Sequence, residues 1–383
     1  MQSAVRARRR LTGALVRAGA LTDPAWIEAF QQVPRHPFVP RFFLAEMAGW
    51  VAVDSSDPGW LRAVYSDQVL VTQLDEDPGA WRTARRTGPV AGVPTCSSSM
   101  PSIMAIMLEE LLVRAGHQVL EVGTGTGYNA ALLSYRLGSG QVSTIDIDGD
   151  LVEQARIRLG SCGYRPRCEV RDGAGGFPEQ APFDRVLCTC SVSTIPPEWL
   201  NQTKPGGFVL TTLNRPIGAG LVRLTVGEDG TGCGQVLARD GRFMPLRAHR
   251  RSEPGRLLSK IQPNGAAPRP TPLSVRSTLN PASRFEFFAG LALPEVAPAF
   301  DPAAPDATFL VHADGSWARH FTDHDRNLVS QGGPRRLWDL LESAYSDWQD
   351  LGEPTRDRFG VTVTQDRQEL WLDEPTSKYV WPL

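Results

Sequence analysis

Between residues 117 and 226, short apolar runs alternate with longer stretches whose apolar positions recur every third or fourth residue. HQVLEV, QVSTIDI, CEVRDG, DRVLCTC and GGFVLTTL read as strands, and NAALLSYRLG, DLVEQARIRLGSCG and PPEWLNQT as helices. Strict alternation of strand and helix predicts an α/β fold, a doubly wound, mostly parallel sheet with helices on both faces. The preceding part, about 1–95, reads as helical and then irregular. Its basic first helix turns Leu11, Val16 and Leu21 inward, and a second helix starts at Pro24 behind a cap at Thr22 or Asp23. VPRHPFVP cannot continue that helix.

Further along, IQPNGAAPRPTPLS (261–274) is rich in Pro, Gly and Ala and is read as a linker. Beyond it the pattern changes. SRFEFFAGLAL and ATFLVHADGSWARHFT read as strands, the second turning at Ala313-Asp314-Gly315. RRLWDLLESAYSDWQDLG is a helix with Leu337, Leu341, Ala344, Tyr345 and Trp348 on one face and Gly352 at its end. FGVTVTQDRQELWLD reads as a hairpin. The expected organisation is therefore an N-terminal region to 95, a core at 96–260, the linker, and a C-terminal α+β unit at 275–383.

Composition narrows the function classes. A length of 383 residues suits two domains, and the net charge of −2 gives no general attraction to nucleic acid or an anionic membrane. No apolar run reaches the roughly 20 residues that span a bilayer. Six cysteines, at 96, 162, 168, 188, 190 and 233, show no CxxC spacing, which fits a reducing cytoplasm. Cys188 and Cys190 fall on one face of a strand and read as packing. His320, Asp323 and His324 have helical metal-pair spacing, yet RHFTDHD also reads as a strand end and turn, so no metal is expected.

Candidate chemistry centres on VLEVGTGTGYNAALL, 119–133. Three glycines at alternate positions after a buried strand let a ligand approach the backbone at the carboxyl edge of the sheet. Alone, that turn also suits NAD or FAD. Asp146 ends the next strand where an acid meets ribose hydroxyls, and Asp172-Gly173 ends the third, where a carboxylate can accept from an adenine amino group. Glu121 makes the mouth acidic, which suits a sulfonium cation better than a pyrophosphate. The spacing also lacks the extra residue of the dinucleotide fingerprint. These features favour S-adenosylmethionine.

Several segments in order resemble the protein-L-isoaspartate O-methyltransferase family: VPRHPFVP, VYSDQVLVTQ, the Thr-Cys-Ser stretch at 95–97, the glycine turn, the DG pair at 172–173, APFDRVL and IPPEWLNQTKPGG. The resemblance covers about 30–215 and implies a Rossmann-like class I methyltransferase sheet, S-adenosylmethionine as cofactor and a peptide carboxylate as substrate. It implies that Glu121, Gly123, Thr124, Gly125, Gly127, Asp146, Ile147, Asp172 and Gly173 hold the cofactor, and that Ser97 lies beside the substrate carboxylate. Tyr65, Asp67 and Val71 fall in the family's entry segment, and Ser99 and Met100 are further substrate-side expectations.

Three departures stand out. Ser98-Ser99-Met100-Pro101 follows Ser97 where the repair enzymes have Gln-Pro or Ala-Pro; residues 74–92 look inserted; and the tail has no counterpart in the short repair enzyme. In these respects the chain is similar to homologues that accompany ribosomal-peptide gene clusters, those of ATP-grasp-made graspetides and some lanthipeptides. That likeness implies esterification of one aspartate in a cyclised precursor peptide, with later closure to an aspartimide or rearrangement to isoaspartate.

A carboxylate is ionised at neutral pH and needs no base to attack a sulfonium methyl. Orientation and water exclusion suffice, which accounts for the absence of any convincing catalytic histidine. Hydroxyls of Thr95, Ser97, Ser98 and Ser99 could bind the carboxylate, or the stretch could be a loop capping a helix near Pro101. Arg82, Arg85 and Arg86, with Arg247, His249, Arg250 and Arg251, read as solvated surface or as contacts to an acidic peptide. Three functions are then open: modification of a ribosomal precursor peptide, general isoaspartyl repair, and peptide binding with a vestigial cofactor site. The partner expected is a peptide; a monomer is compatible with the chain.

Overall fold

The alternation between 117 and 226 forms the sheet it predicts. A computed structural model describes residues 2–251, 253–261 and 267–383. By compactness the chain divides into one unit of residues 1–190, 196–211 and 223–232, and a second of residues 191–195, 212–222 and 233–383. The second unit thus takes in residues on both sides of the expected 261–274 linker, of which 262–266 lie outside the described residues.

The first unit opens with α1 (Gln2–Arg17) and α2 (Pro24–Gln32). Asp23, not Thr22, caps α2 by accepting from the Ala25 N–H, while Thr22 bonds Glu109 with both its N–H and its hydroxyl. Trp26, Ala29 and Phe30 of α2 are buried. Then come β1 (Arg41–Glu46), β2 (Gly49–Asp54), α3 (Trp60–Val64), β3 (Leu70–Leu74), α4 (Ala80–Thr87) and β4 (Pro94–Ser98). The four strands form an antiparallel sheet in the order β2-β1-β3-β4. From sequence this region reads as irregular, with a loop as one of two readings of the serine stretch; it is a sheet with Thr95 to Ser98 inside a strand. RFFLAEMAGWVAVD carries the strand signals, with Phe42 and Phe43 buried on β1 and Gly49 at φ +124° in the turn.

The alternating α/β part follows: α5 (Pro101–Glu110), β5 (Val119–Val122), α6 (Tyr128–Leu137), β6 (Val142–Asp146), α7 (Gly149–Ser161), β7 (Arg167–Val170), β8 (Phe183–Val192), α8 (Pro197–Asn201), β9 (Thr203–Asn214) and β10 (Ala219–Val226). The order is β10-β9-β8-β5-β6-β7, with β5 parallel to both β6 and β8. Every residue of β5 is buried, as expected of a strand covered on both faces. The chain reverses its direction of travel across the sheet between β5 and β8, so a crevice forms at their carboxyl ends. Cys188 is buried and Cys190 half-buried on β8, and all six cysteines are free thiols.

The second unit holds β11 (Gly232–Val236), α9 (Pro254–Leu258), β12 (Arg269–Pro270), α10 (Val275–Thr278), α11 (Glu286–Ala292), β13 (Ala297–Phe300), β14 (Ala307–Val311), β15 (Trp317–Asp323), β16 (Arg326–Gly332), α12 (Leu337–Asp350), β17 (Phe359–Val363), β18 (Gln368–Leu372) and β19 (Val380–Pro382). Strands β13 to β16 with β12 form a five-stranded antiparallel sheet, and β17 to β19 a meander. The β14–β15 and β17–β18 hairpins and α12 agree with the sequence reading. SRFEFFAGLAL does not: it is helix α11, not a strand. A short, fully buried apolar run has no exposed face to reveal its period, and only backbone proximity betrays it. A Cβ on Gly290 would lie 2.0 Å from the Ile217 carbonyl oxygen. His320 stacks on Trp338 with ring centroids 4.8 Å apart, and Trp338 and Trp348 are buried in the core. Among the described residues, no cluster of three or more metal-ligating side chains occurs and no helix is long and apolar enough to cross a membrane.

Candidate active site

The glycine turn leaves β5 at Val122 and enters α6 at Tyr128. Gly123, Gly125 and Gly127 have φ of +101°, +49° and +86°, a region costly for residues with a Cβ. Two of them also sit too close to neighbours for a side chain. A Cβ at Gly123 would lie 2.6 Å from Thr189 Oγ1, and one at Gly127 3.1 Å from Ala155 Cβ on α7. Gly125 differs: a Cβ there would meet only Cys96 Sγ and the Ser97 carbonyl oxygen, both at 3.7 Å. Its bare backbone therefore faces β4.

Behind the turn lies a buried hydrogen-bond chain. Asn129 Nδ2 donates to Glu121 Oε1 and Thr144 Oγ1 to Glu121 Oε2, each at 2.6 Å. Thr144 has spent its hydrogen, so Thr124 Oγ1, 2.7 Å away, donates to it. Glu121 is fully buried, and burial pushes its carboxyl up to about 7. Sequence reading put Glu121 at the mouth of the crevice. The structure puts it, with both oxygens engaged, behind the turn, where it fixes Thr124 through Thr144.

Asp146 ends β6. Its Oδ2 accepts the Gly125 N–H at 2.9 Å and its Oδ1 the Asp148 N–H at 3.2 Å, while burial raises its pKa. Ile147 beside it is 39% exposed, an apolar surface next to an acid. The Arg171 N–H donates to the Asp146 carbonyl and draws the end of β7 alongside. Asp172 is exposed there, with Oδ1 accepting the Ala174 N–H. The Gly173 carbonyl accepts from the indole of fully buried Trp199 at 2.8 Å. An acid, an apolar side chain and a second acid thus converge at the carboxyl edge next to the glycine turn.

On the facing sheet, Val71 of β3 pairs with Ser97 of β4. Strand alternation separates the hydroxyls expected at the site. Thr95 Oγ1 donates to Gln73 Oε1 at 2.8 Å and accepts the Glu76 N–H, so it serves the strand pair. Gln73 Nε2 in turn donates to Asp148 Oδ2 at 2.9 Å, and Asp148 caps α7. Ser98 points the other way and is buried. Its Oγ accepts from Arg35 Nη2 at 3.1 Å, a correction to its expected place at the reaction centre. The hydroxyls of Ser97 and Ser99 bond no described residue, and both side chains are half-buried. Met100 opens α5, ahead of Pro101.

Arg35 was missed in the sequence, although it stands in the quoted VPRHPFVP. It is fully buried with no ion pair among the described residues, and desolvation lowers its pKa to about 10 against the opposing charge of Asp67. Carbonyls satisfy it: Val64 at 2.9 Å, Ser66 at 3.3 Å, Ser98 at 3.3 Å and Ser99 at 2.9 Å. The Arg35 N–H donates to Tyr65 Oη, whose own hydrogen is then directed at His36 Nδ1, 2.8 Å away. Tyr65, expected on the substrate side, is therefore a buried member of this cluster. Val71 is buried too, in an apolar cluster with Phe43, Ala52, Leu74 and Ala84.

A doubly wound sheet, a glycine turn at its switch point and an acid ending the next strand define a class I S-adenosylmethionine-dependent methyltransferase. The family description protein-L-isoaspartate(D-aspartate) O-methyltransferase matches residues 88–248. A protein-L-isoaspartate O-methyltransferase of Methylorubrum extorquens (strain PA1) is 34% identical over 219 residues, 57% of this chain and 79% of the relative. One of Xanthobacter autotrophicus is 39% identical over 163 residues, 42% of this chain and 71% of the relative. The chain belongs to the protein-L-isoaspartate O-methyltransferase family. A solved structure titled protein-L-isoaspartate O-methyltransferase superposes with a TM-score of 0.55 at 23% identity, over 96% of this chain and 100% of that one. That likeness concerns the fold alone, but it reaches into the C-terminal residues. The length of the tail therefore does not set this chain apart from structures bearing the family's name.

Proposed function

We propose that this chain transfers a methyl group from S-adenosylmethionine to the side-chain carboxylate of an isoaspartyl residue in a peptide or protein. The names borne by its relatives support this substrate class. The observation that carries the reading is the meeting of Gly125 with β4. A Cβ position on Gly125 3.7 Å from the Ser97 carbonyl oxygen brings the bare turn next to the strand that carries the uncommitted Ser97 hydroxyl, which supports a shared site.

The residues present fit the cofactor. Gly123 to Gly127 offer backbone that a side chain would fill, Asp146 an acceptor for ribose hydroxyls, Ile147 an apolar face for adenine, and Asp172 an acceptor for its amino group. When bound, the cofactor supplies a methyl group on a positively charged sulfur. The chain's own task is positional. Ser97 Oγ–H orients the carboxylate, the Arg35 cluster holds the strand that carries Ser97, and Thr124, tied through Thr144 to Glu121, fixes the turn. No side chain need take a proton, because the acceptor is already ionised. Incubating the protein with S-adenosylmethionine and a simple isoaspartyl peptide should give the mass gain of one methylene unit. Ser97→Ala should lower kcat by about ten- to a hundredfold, as expected for loss of one hydrogen bond to a charged group, with cofactor affinity intact. Unchanged turnover would remove Ser97 from the site.

A second reading, esterification of an aspartate in a cyclised ribosomal peptide, is favoured by one feature. Residues 74–87 precede the family match, and there α4 places Arg82 and Arg86 in solvent beside the strands that carry the site. Methylation of a cyclised precursor in preference to a plain isoaspartyl peptide, followed by loss of methanol to form the imide, would decide for it.

A further inference from the structure

Next to the glycine turn, between α7 and the N-terminal sheet, lies a small cleft of about 40 Å³. Arg41 of β1, Thr72 and Gln73 of β3, Trp81 of α4, Thr126 of the turn and Arg158 of α7 line it. Its cations lack anions. The Arg41 guanidinium lies 5.3 Å over the Trp81 ring and has no ion pair or hydrogen bond among the described residues. Among the described residues, the Arg158 guanidinium donates only to the neutral Gln154 Oε1, at 2.8 Å. Burial lowers the pKa of both, with Arg82 adding repulsion at Arg41 and Arg41 adding it at Arg158. One further donor on the wall, Trp81 Nε1, is buried and bonds nothing among the described residues, while the Thr72 hydroxyl has only the Cys96 thiol beside it. Carboxylates also border the cleft. Asp77 has Oδ1 engaged by the Gly79 N–H, Asp150 is exposed on the first turn of α7, and neither pairs with Arg41 or Arg158.

Half-buried guanidinium groups without a carboxylate partner, beside an orphaned donor, are costly unless an anion completes them. The cleft is also joined to the reaction centre. Gln73 on its wall accepts from Thr95, two residues before Ser97 on the same strand. We propose that this cleft is a subsite for a second carboxylate of the peptide substrate, an acidic side chain near the residue that is methylated. The inference rests on the carboxyl methyltransferase reading above. It makes the enzyme selective for acidic segments rather than indifferent to sequence.

Two isoaspartyl peptides, identical except for one Glu replaced by Gln near the isoaspartyl residue, test this. The unaltered protein should use the acidic peptide with a KM about tenfold lower or better, the scale of one charge-assisted hydrogen bond. Arg41→Gln and Arg158→Gln should each erode that preference through KM, while the calorimetric affinity for S-adenosylmethionine stays put. Equal KM for the two peptides on the unaltered protein would overturn the subsite, and that comparison needs no variant to fold. Weakened S-adenosylmethionine binding in the variants would also overturn it, by assigning the arginines to the cofactor's own carboxylate. So would inhibition by inorganic phosphate that is equal for both peptides. Methylation of neither peptide would instead defeat the underlying reading, a result distinct from methylation of both alike.

Discussion

Replacing Glu121 by Gln isolates the energetics behind the glycine turn. The Glu121 carboxyl is fully buried and accepts two hydrogen bonds, yet burial outweighs them and carries its pKa from the ordinary 4.5 to about 7. In the unfolded chain the group ionises near its ordinary value. Between the two, the folded state holds a proton that the unfolded state has released, so stability falls as pH rises through this window. At about 1.4 kcal/mol per pH unit, the loss complete by pH 8 is about 3 kcal/mol. Glu121→Gln has no such proton to lose. The amide oxygen can still accept from Thr144. Its NH2 can serve Asn129 Oδ1, a buried acceptor that now bonds nothing, if the Asn129 amide turns over. Urea denaturation of both proteins at pH 5 and pH 8 reads the effect directly. Stability of the variant relative to the parent should grow by about 2.5 kcal/mol between those pH values, since part of the loss has already occurred by pH 5. A constant difference would show that Glu121 is ionised throughout and that its burial has been misjudged.

Other substitutions separate positioning from chemistry. Ser98→Ala should cost about 1–2 kcal/mol in urea denaturation by removing an acceptor of buried Arg35, with kcat for peptide methylation kept; a fall in kcat matching that of Ser97→Ala would return Ser98 to the reaction centre. Arg35→Met should destabilise by at least about 3 kcal/mol because several buried carbonyls lose their donor, and Arg35→Lys should fail to rescue it because one ammonium cannot fan across Val64, Ser98 and Ser99. Gly123→Ala should abolish calorimetric binding of S-adenosylmethionine, since φ of +101° and a Thr189 hydroxyl 2.6 Å from the new methyl both force the turn to move; ordinary affinity would show that the turn does not carry the cofactor.

The parallel half of the fold was legible because buried strands and amphipathic helices have different periods, and the glycine turn because positive φ leaves few alternatives to glycine. The N-terminal sheet escaped notice because its strands are short and interrupted by α3 and α4, so no single run dominates. The serine stretch shows the limit more sharply. Ser97 and Ser98 are chemically identical in the sequence, and only the pleat of β4, invisible until its pairing with β3 is known, sends Ser98 to Arg35 and turns Ser97 to the opposite face. Arg35 stands in the VPRHPFVP motif, but a charged residue amid prolines gives no sign that carbonyls, rather than an acid, will surround it. In α11 the apolar run was plain, and its period was hidden by burial on every side.

Gln73 is a small residue with a large reach. One end of its amide holds the strand pair bearing Ser97, and the other holds the cap of α7, two residues past the acid at the end of β6. The wall that would receive a peptide and the rim that would receive a nucleoside are thereby riveted together across a single side chain. Loosening that rivet with Gln73→Leu should blur the order in which the two ligands are taken up, even though Gln73 need touch neither of them.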